Sequence, residues 1–492
     1  MLNFYILIGV LALVVYLTIK GRNNNYFISE NNSNMSVGFS YGATLVSTSA
    51  IVGFGGLAGW LGYSVFTLLF ALSLSTFFAI RYIGPRIYRL NQKHKARTYI
   101  ELLSKHYQSP TLGKILAGAT VILVPFYSAA VLIGISKFIT AMTDLPYLVS
   151  LTLFSVIIGF SVFVGGMKGV LQNDLWMGRF MIIGSILIAL HTLYSHVGPD
   201  YLLNLRLAWE AGTDGLTNFA KSIGFTGYTE YPDFWSKGWL YIVTLLVFTI
   251  PIGSVALPQL QTRFMLAKDE KSFQEISWYG LVVPFLIIAC FFFAGVTANS
   301  NAWLIASTNA VTWSGDIGKI IPTWIATGYP EWLSTILFIT VTAAAISTVN
   351  SLMHLLVSTV EIDLGYKYRM PSIIGVILFA VGIAFFFEKE PAFISRSTAL
   401  YFSILGGSIL PSLVGLLRGH TDKIVAVWSV SSGMIASLVW ILFFHFKESK
   451  LFTGITIDIG RYNFVDTVFP ALLISLLVYY VCHTQRKSAV SG

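Results

Sequence analysis

The stretch ATLVSTSAIVGFGGLAG at residues 43–59 is apolar enough to lie in a membrane, yet hydroxyls at Thr44, Ser47, Thr48 and Ser49 run into glycines at 53, 55, 56 and 59. Hydroxyl side chains compete with the helical ladder and glycine loosens it, so the pattern predicts a spanning helix that is interrupted. Every backbone amide and carbonyl in hydrocarbon needs a partner, and broken turns persist there only inside protein or beside a wet cavity. An interruption here therefore predicts a binding site.

The rest of the chain fits that setting. Of 492 residues, 55% are hydrophobic and 11% charged, and the mean hydropathy is +0.74, far from the composition of a soluble domain. Apolar runs of spanning length recur about thirteen times, near 2–19, 38–60, 63–84, 113–140, 148–166, 172–194, 238–258, 274–298, 331–360, 372–388, 398–416, 424–446 and 464–484. The expectation is an all-α polytopic membrane protein forming one domain over 1–492, with no soluble domain left over.

Orientation follows from basic residues, which favour the cytoplasmic side of short loops. The first run has no basic flank before it and no small-residue cleavage site after it, and Lys20 and Arg22 follow it. It reads as a retained helix with its N-terminus outside, rather than a removable signal. Segment 81–114 carries eight lysines and arginines and is placed inside. Alternating from there leaves the C-terminus cytoplasmic, as suits a multi-pass protein of the cell membrane. The net charge of +9 then faces anionic headgroups and calls for no nucleic acid. Cys290 and Cys482 lie in apolar runs without metal spacing and read as small core residues.

A second interrupted span is expected at 248–258, FTIPIGSVALP, where Pro251, Gly253 and Pro258 remove donors or loosen turns. It comes five spans after the first. Two broken helices at matching places in two five-helix halves are what an inverted-repeat transporter shows, with its site at mid-membrane. The boundaries expected are 1–37 for the first helix and loop, 38–196 and 236–418 for the repeats, and 419–492 for the last helices.

The ninth span supplies oxygens. In AAAISTVNS, Ala344, Ser347, Thr348 and Ser351 share one helical face. Ala43, Val46, Ser47 and Ala50 repeat the spacing on the first broken span. Two small-residue stripes of this kind could clasp a monovalent cation between released carbonyls and hydroxyls, or could simply be packing faces with serines bonded to their own backbone.

With the segments GGMKGVLQND at 165–174, PQLQTRFMLAKD at 258–269 and GGSILPSLVGLLRGHTDKIVAVWSVSSG at 406–433, the two stripes resemble the sodium:solute symporter family over nearly the whole chain. The resemblance implies the inverted-repeat fold first seen in a bacterial leucine transporter. It implies sodium as the co-transported ion, held by the carbonyls of Ala43, Val46 and Ala344 and the hydroxyls of Ser347 and Thr348. It places solute at Ser47, Ile250 and Ser254. Asp174 matches an acid on the ion route of relatives and, with Asn350 and Ser351, a possible second sodium position. Asn350, Asn173 and Met177 depart from the serine, threonine and glutamine usual there, which puts a second ion in doubt.

The other reading of Asp174 is an ion pair with Lys168 or Arg179. Five residues separate Asp174 from Arg179, which on an ideal helix turns the two about 140° apart. Lys137 is expected to snorkel to the interface, and His354 to be a hydrogen-bonded structural histidine rather than a proton carrier. The family's sugar transporters carry a glutamate in the third span where this chain has none. Its proline branch has an aspartate where Leu45 stands. A small carboxylate or amino acid is the preferred solute.

The function expected is sodium-coupled import by alternating access, carried out by a monomer in the lipid bilayer. A proton-coupled symporter of the same fold is the nearest alternative, and a channel or sensor a more distant one. An enzyme is not expected, since the chain has no HExxH and its eight histidines are scattered.

Overall fold

The computed structural model describes residues 2–21, 26–27, 32–212, 215–300, 317–389 and 393–491; Arg22 lies outside them. Among the described residues the chain is helical throughout, with eleven helices long and apolar enough to cross a membrane. Two of these are too long for one crossing. A helix of 50 residues extends about 75 Å, more than twice a hydrocarbon core of roughly 30 Å, and Ser49–His94 and Tyr147–His196 run to 46 and 50 residues.

Each of the two is kinked at a glycine with positive φ. Gly166, at φ 53, presses against the Tyr26 carbonyl, which also accepts from the Met167 amide at 2.9 Å. A β-carbon there would lie 2.7 Å from that oxygen, in a backbone region L-residues avoid. Gly62, at φ 72, does the same against the Tyr228 backbone. Each long helix thus holds enough chain for two crossings.

Burial sorts the helices into inner and outer members. The stretch Glu331–Asp363 is enclosed by protein over 83% of its most apolar window, against 17% for Val468–Arg486. The outer surface carries exposed Phe70, Leu74, Phe78, Leu190, Leu477 and Tyr480, the apolar coat that hydrocarbon requires. Against the enclosed Glu331–Ser358 helix pack the Tyr147–His196 helix and the first broken span.

Both expected interruptions exist, each inside the stretch its composition marked. The first span is α-helical over Asn34–Leu45, turns out at Val46 (φ −89, ψ 84), and resumes as a π-helix over Ser49–Phe54 and an α-helix over Gly55–Leu61. The break is thus at Val46–Ser47 rather than among the glycines. Ser47 ends it from the far side, its oxygen accepting the Ala50 amide at 3.3 Å as an N-cap would. The glycines instead let helices close: Gly56 abuts the Ile317 carbonyl, and a β-carbon on Gly59 would sit 3.1 Å from the Gly295 carbonyl.

The second span runs through Lys237–Val243 and a π-helix over Thr244–Ile252, and breaks at Ala256–Leu257, where Leu257 is extended (φ −67, ψ 130). Wider π turns absorb Pro251. Pro258 opens the next helix, Pro258–Phe264, where its missing N–H costs nothing.

Candidate functional site

A helix that stops at Leu45 leaves the carbonyls of its last turn without intrahelical donors. The Gly42 carbonyl is still met by the Val46 amide at 3.1 Å. The Thr44 carbonyl is met from elsewhere, by the Thr348 hydroxyl at 3.3 Å. The Glu331–Ser358 helix therefore lays its hydroxyl edge against the interrupted end of the first span. Ser351 and Thr44 add a second contact between the same helices, their hydroxyls 3.0 Å apart.

Beside this contact sits Asp174, wholly buried. One of its oxygens accepts from Ser347 at 2.6 Å, the other from Ser40 at 2.5 Å. Arg263 completes the group. Its guanidinium lies 3.4 Å from Asp174, 2.5 Å from the Ser351 hydroxyl and 3.2 Å from the Thr44 hydroxyl, with Nε donating to Ser40 at 3.1 Å and Nη1 to the Gln259 carbonyl at 2.9 Å. Arg263 and Asp174 expose 1% and 0% of their side chains. Charges this deep persist only when paired and hydrogen-bonded, and here every described partner comes from one of four elements: both broken spans, the Tyr147–His196 helix and the Glu331–Ser358 helix.

The partner of Asp174 is thus Arg263, and neither Lys168 nor Arg179. Arg179 lies over the Trp176 ring at 4.8 Å and reaches the Met35 sulfur at 3.9 Å. His354 donates from Nε2 to the Tyr26 carbonyl, 3.1 Å away, and stacks on the Tyr26 ring at 5.2 Å. Lys137 lines a cavity of about 590 Å³ together with Lys319 and Lys389.

The sequence-derived sodium residues Ala43, Val46, Ala344, Ser347 and Thr348 are all buried. Of these, Ser347 and Thr348 are joined by hydrogen bonds to Asp174 and to Thr44. Asn350 is buried with both amide atoms unpartnered, and no described contact brings it to Asp174. Ser351 does join the Asp174 group, through Arg263.

Around the break, Ser47 and Ser49 share a short hydroxyl contact, and the Tyr127 phenol reaches both. Tyr127 stacks on Tyr401 at 5.1 Å, and Tyr401 donates to Gln259 at 2.5 Å, which links this aromatic pair to the second span. Ile250 is buried. Ser254 is buried too, with its hydroxyl donated to the Pro251 carbonyl at 2.7 Å.

Four contributors escaped the reading of the sequence: Ser40, Thr44, Gln259 and Arg263. Ser40 and Thr44 carry a legible signal, two hydroxyls at i and i+4 on one face ending at the break. Arg263 carries none, because nothing local distinguishes it from a basic residue flanking a span.

Comparison with known proteins adds the following. The profile described as the sodium:solute symporter family matches residues 26–386. A sodium/pantothenate symporter of Haemophilus influenzae (strain ATCC 51907 / DSM 11121 / KW20 / Rd) is 24% identical over 303 residues, 58% of this chain and 59% of the relative. A sodium/pantothenate symporter of Escherichia coli (strain K12) is 21% identical over 279 residues, 55% of this chain and 52% of the relative. The chain thus spans a little over half the length of the curated relatives it matches. Among solved structures, a Na+-coupled sialic acid symporter in a substrate-bound outward-open state superposes with a TM-score of 0.66 at 15% identity, covering 98% of both chains. At that identity the likeness concerns the fold.

Proposed function

The chain belongs to the sodium:solute symporter family, and from that premise we propose that it imports a small organic carboxylate with sodium by alternating access. One observation carries the reading: the unwound end at Val46–Ser47 faces the hydroxyl edge of the Glu331–Ser358 helix, with Thr348 holding the Thr44 carbonyl. A hard cation seeks such a set of carbonyl and hydroxyl oxygens. Sodium takes the carbonyls of Ala43, Val46 and Ala344 and the hydroxyls of Ser347 and Thr348, exchanging an interhelical hydrogen bond for an ion that ties the same two helices.

The second position is already filled by the chain's own cation. The Arg263 guanidinium touches Asp174 and Ser351, two of the three residues proposed for a second ion, and on this reading one sodium moves per solute. That is enough for scavenging. A tenfold gradient yields about 1.4 kcal/mol and a 100 mV potential about 2.3 kcal/mol per charge, together a several-hundredfold concentration of a neutral solute. An anionic solute moving with one sodium gives up the potential term.

Ser47, Ile250 and Ser254 form the solute-facing set, with Ser254 the weakest donor because its hydroxyl is committed to Pro251. Relatives named for pantothenate transport support a carboxylate as the solute. The same reading assigns thirteen crossings, two to each of the over-long helices, and repeats at 38–196 and 236–418. It places the N-terminus outside and the C-terminus inside the cell membrane, in a protein acting as a monomer.

The test is uptake of radiolabelled pantothenate by proteoliposomes at fixed pH, under an inward sodium gradient or with choline in its place. Saturable accumulation is expected only with sodium. Accumulation that ignores sodium and follows an imposed pH gradient overturns the choice of ion, and uptake that never saturates overturns the transporter.

A further inference from the structure

A cavity of about 590 Å³ lies against the far half of the first broken span, the half that the orientation proposed above turns outward. It has the size of a small-molecule site, roughly 300–1,000 Å³. Exposure falls along its lining, from Lys319, Lys389 and Thr327, which are exposed, to Val52 and Gly134, which are buried. The cavity therefore leads inward from the surface. At its buried end Gly134 abuts Thr48, whose methyl carbon would lie 3.2 Å from a β-carbon placed on that glycine. Thr48 follows Ser47 directly, so the inner wall stands one side chain away from the first break.

The charged groups on this lining are three lysines, Lys137, Lys319 and Lys389, and one carboxylate, Glu388. Among the described residues neither Lys319 nor Lys389 forms an ion pair. Glu388 offsets one of the three charges, and the described lining keeps an excess of positive charge. Low-dielectric walls focus such a field and raise the local concentration of anions. Packing fixes where Lys319 stands: it ends the turn Ile317–Lys319, whose Ile317 carbonyl abuts Gly56, and the helix that follows meets Gly59 through Ile320 and Gly55 through Ile321. The glycines past the break thus seat a lysine-bearing turn on the broken span itself.

We infer that this cavity is an entry vestibule in which Lys319 and Lys389 gather the carboxylate solute before it reaches Ser47, and that the two lysines set a preference for anions over neutral solutes. The inference rests on the carboxylate reading above, and its first measurement is kept apart from that reading by sensing the vestibule's charge without any solute. In the full-length chain carrying Cys290→Ser and Cys482→Ser, Thr323→Cys places one thiol on the cavity wall. Two membrane-impermeant methanethiosulfonates, one bearing a sulfonate and one a quaternary ammonium, are then applied from outside to sealed right-side-out vesicles.

The ratio of anionic to cationic labelling rates is expected to exceed that of a free thiol about tenfold and to fall as salt is added. Lys319→Gln with Lys389→Gln is expected to remove the excess, while Lys319→Arg with Lys389→Arg, which keeps both charges, retains it and controls for folding. In pantothenate uptake the glutamine pair is expected to raise KM about tenfold with kcat near wild type. A thiol that does not react from outside, a ratio no higher than that of a free thiol, a ratio unmoved by the glutamine pair, or an unchanged pantothenate KM overturns the inference even where uptake is sodium-driven. An anionic preference lost in the glutamine pair, in a protein that moves no pantothenate, upholds the anion-gathering vestibule and overturns the proposed solute.

Discussion

The two broken spans are interrupted by different means, one sealed within its own stretch of chain and the other through a contact with a distant helix. At the second break the chain seals itself: Pro258 forbids continuation, and the Val255 carbonyl is met by the amide of Gln261, six residues on. At the first break there is no proline, and the Thr44 carbonyl is met by Thr348, 304 residues away. The Gln261 bond bridges the break within one short stretch of chain and survives any movement in which that stretch moves as a unit. A bond between separate helices is lost when they part and can be replaced by an ion that holds them together, which couples ion affinity to conformation in both directions.

Arg263 ties the two regions to each other, and breaking that tie has the largest expected effect. Arg263→Met leaves the buried Asp174 carboxylate uncompensated and is expected to cost about 3–5 kcal/mol, read as thermal unfolding in detergent. Adding Asp174→Asn to the same chain is expected to restore most of that loss. A single variant as stable as wild type would show that the pair holds nothing together.

Gln261→Leu sharpens the contrast from the self-sealed side. Leaving the Val255 carbonyl unmet is expected to cost about 1–3 kcal/mol of stability without moving the half-saturating sodium concentration. Thr348→Val is the reverse case, being isosteric and placed at the exchangeable contact. It is expected to raise half-saturating sodium about tenfold, equivalent to about 1.4 kcal/mol, with little change in unfolding temperature. If the two variants traded these phenotypes, the assignment of self-sealed and exchangeable contacts would be inverted.

The smallest effect is expected at Ser254. Its hydroxyl serves its own helix, so Ser254→Ala should change stability by no more than about 0.5 kcal/mol and leave the solute KM close to wild type, whereas Ser47→Ala should raise it. A large KM effect at Ser254 would move the solute toward the second break.

Much of this was legible in the chain. The hydroxyls of residues 44–49 announced an interruption because they compete locally for backbone partners, and Ser347 and Thr348 announced a polar helix edge because three- and four-residue spacing is all that a shared face requires. The glycines were read as part of the break and are instead a contact surface: at Gly56 and Gly59 the neighbouring backbone leaves no room for a side chain. Composition cannot distinguish a glycine that frees its own backbone from one that admits another.

Sequence alone therefore determined the membrane setting, the existence of two interrupted helices and the hydroxyl-bearing partner, since each follows from hydrophobic length or from bonds reaching only a few residues. Tertiary structure decided where the breaks fall, that Ser40 and Thr44 rather than the Ala43–Ala50 stripe make the hydrogen-bonded contacts, and that Asp174 answers to Arg263. Those outcomes depend on which buried charge and which orphan carbonyl come within hydrogen-bond reach once the helices pack, and that reach spans 89 residues from Asp174 to Arg263 and 304 from Thr44 to Thr348.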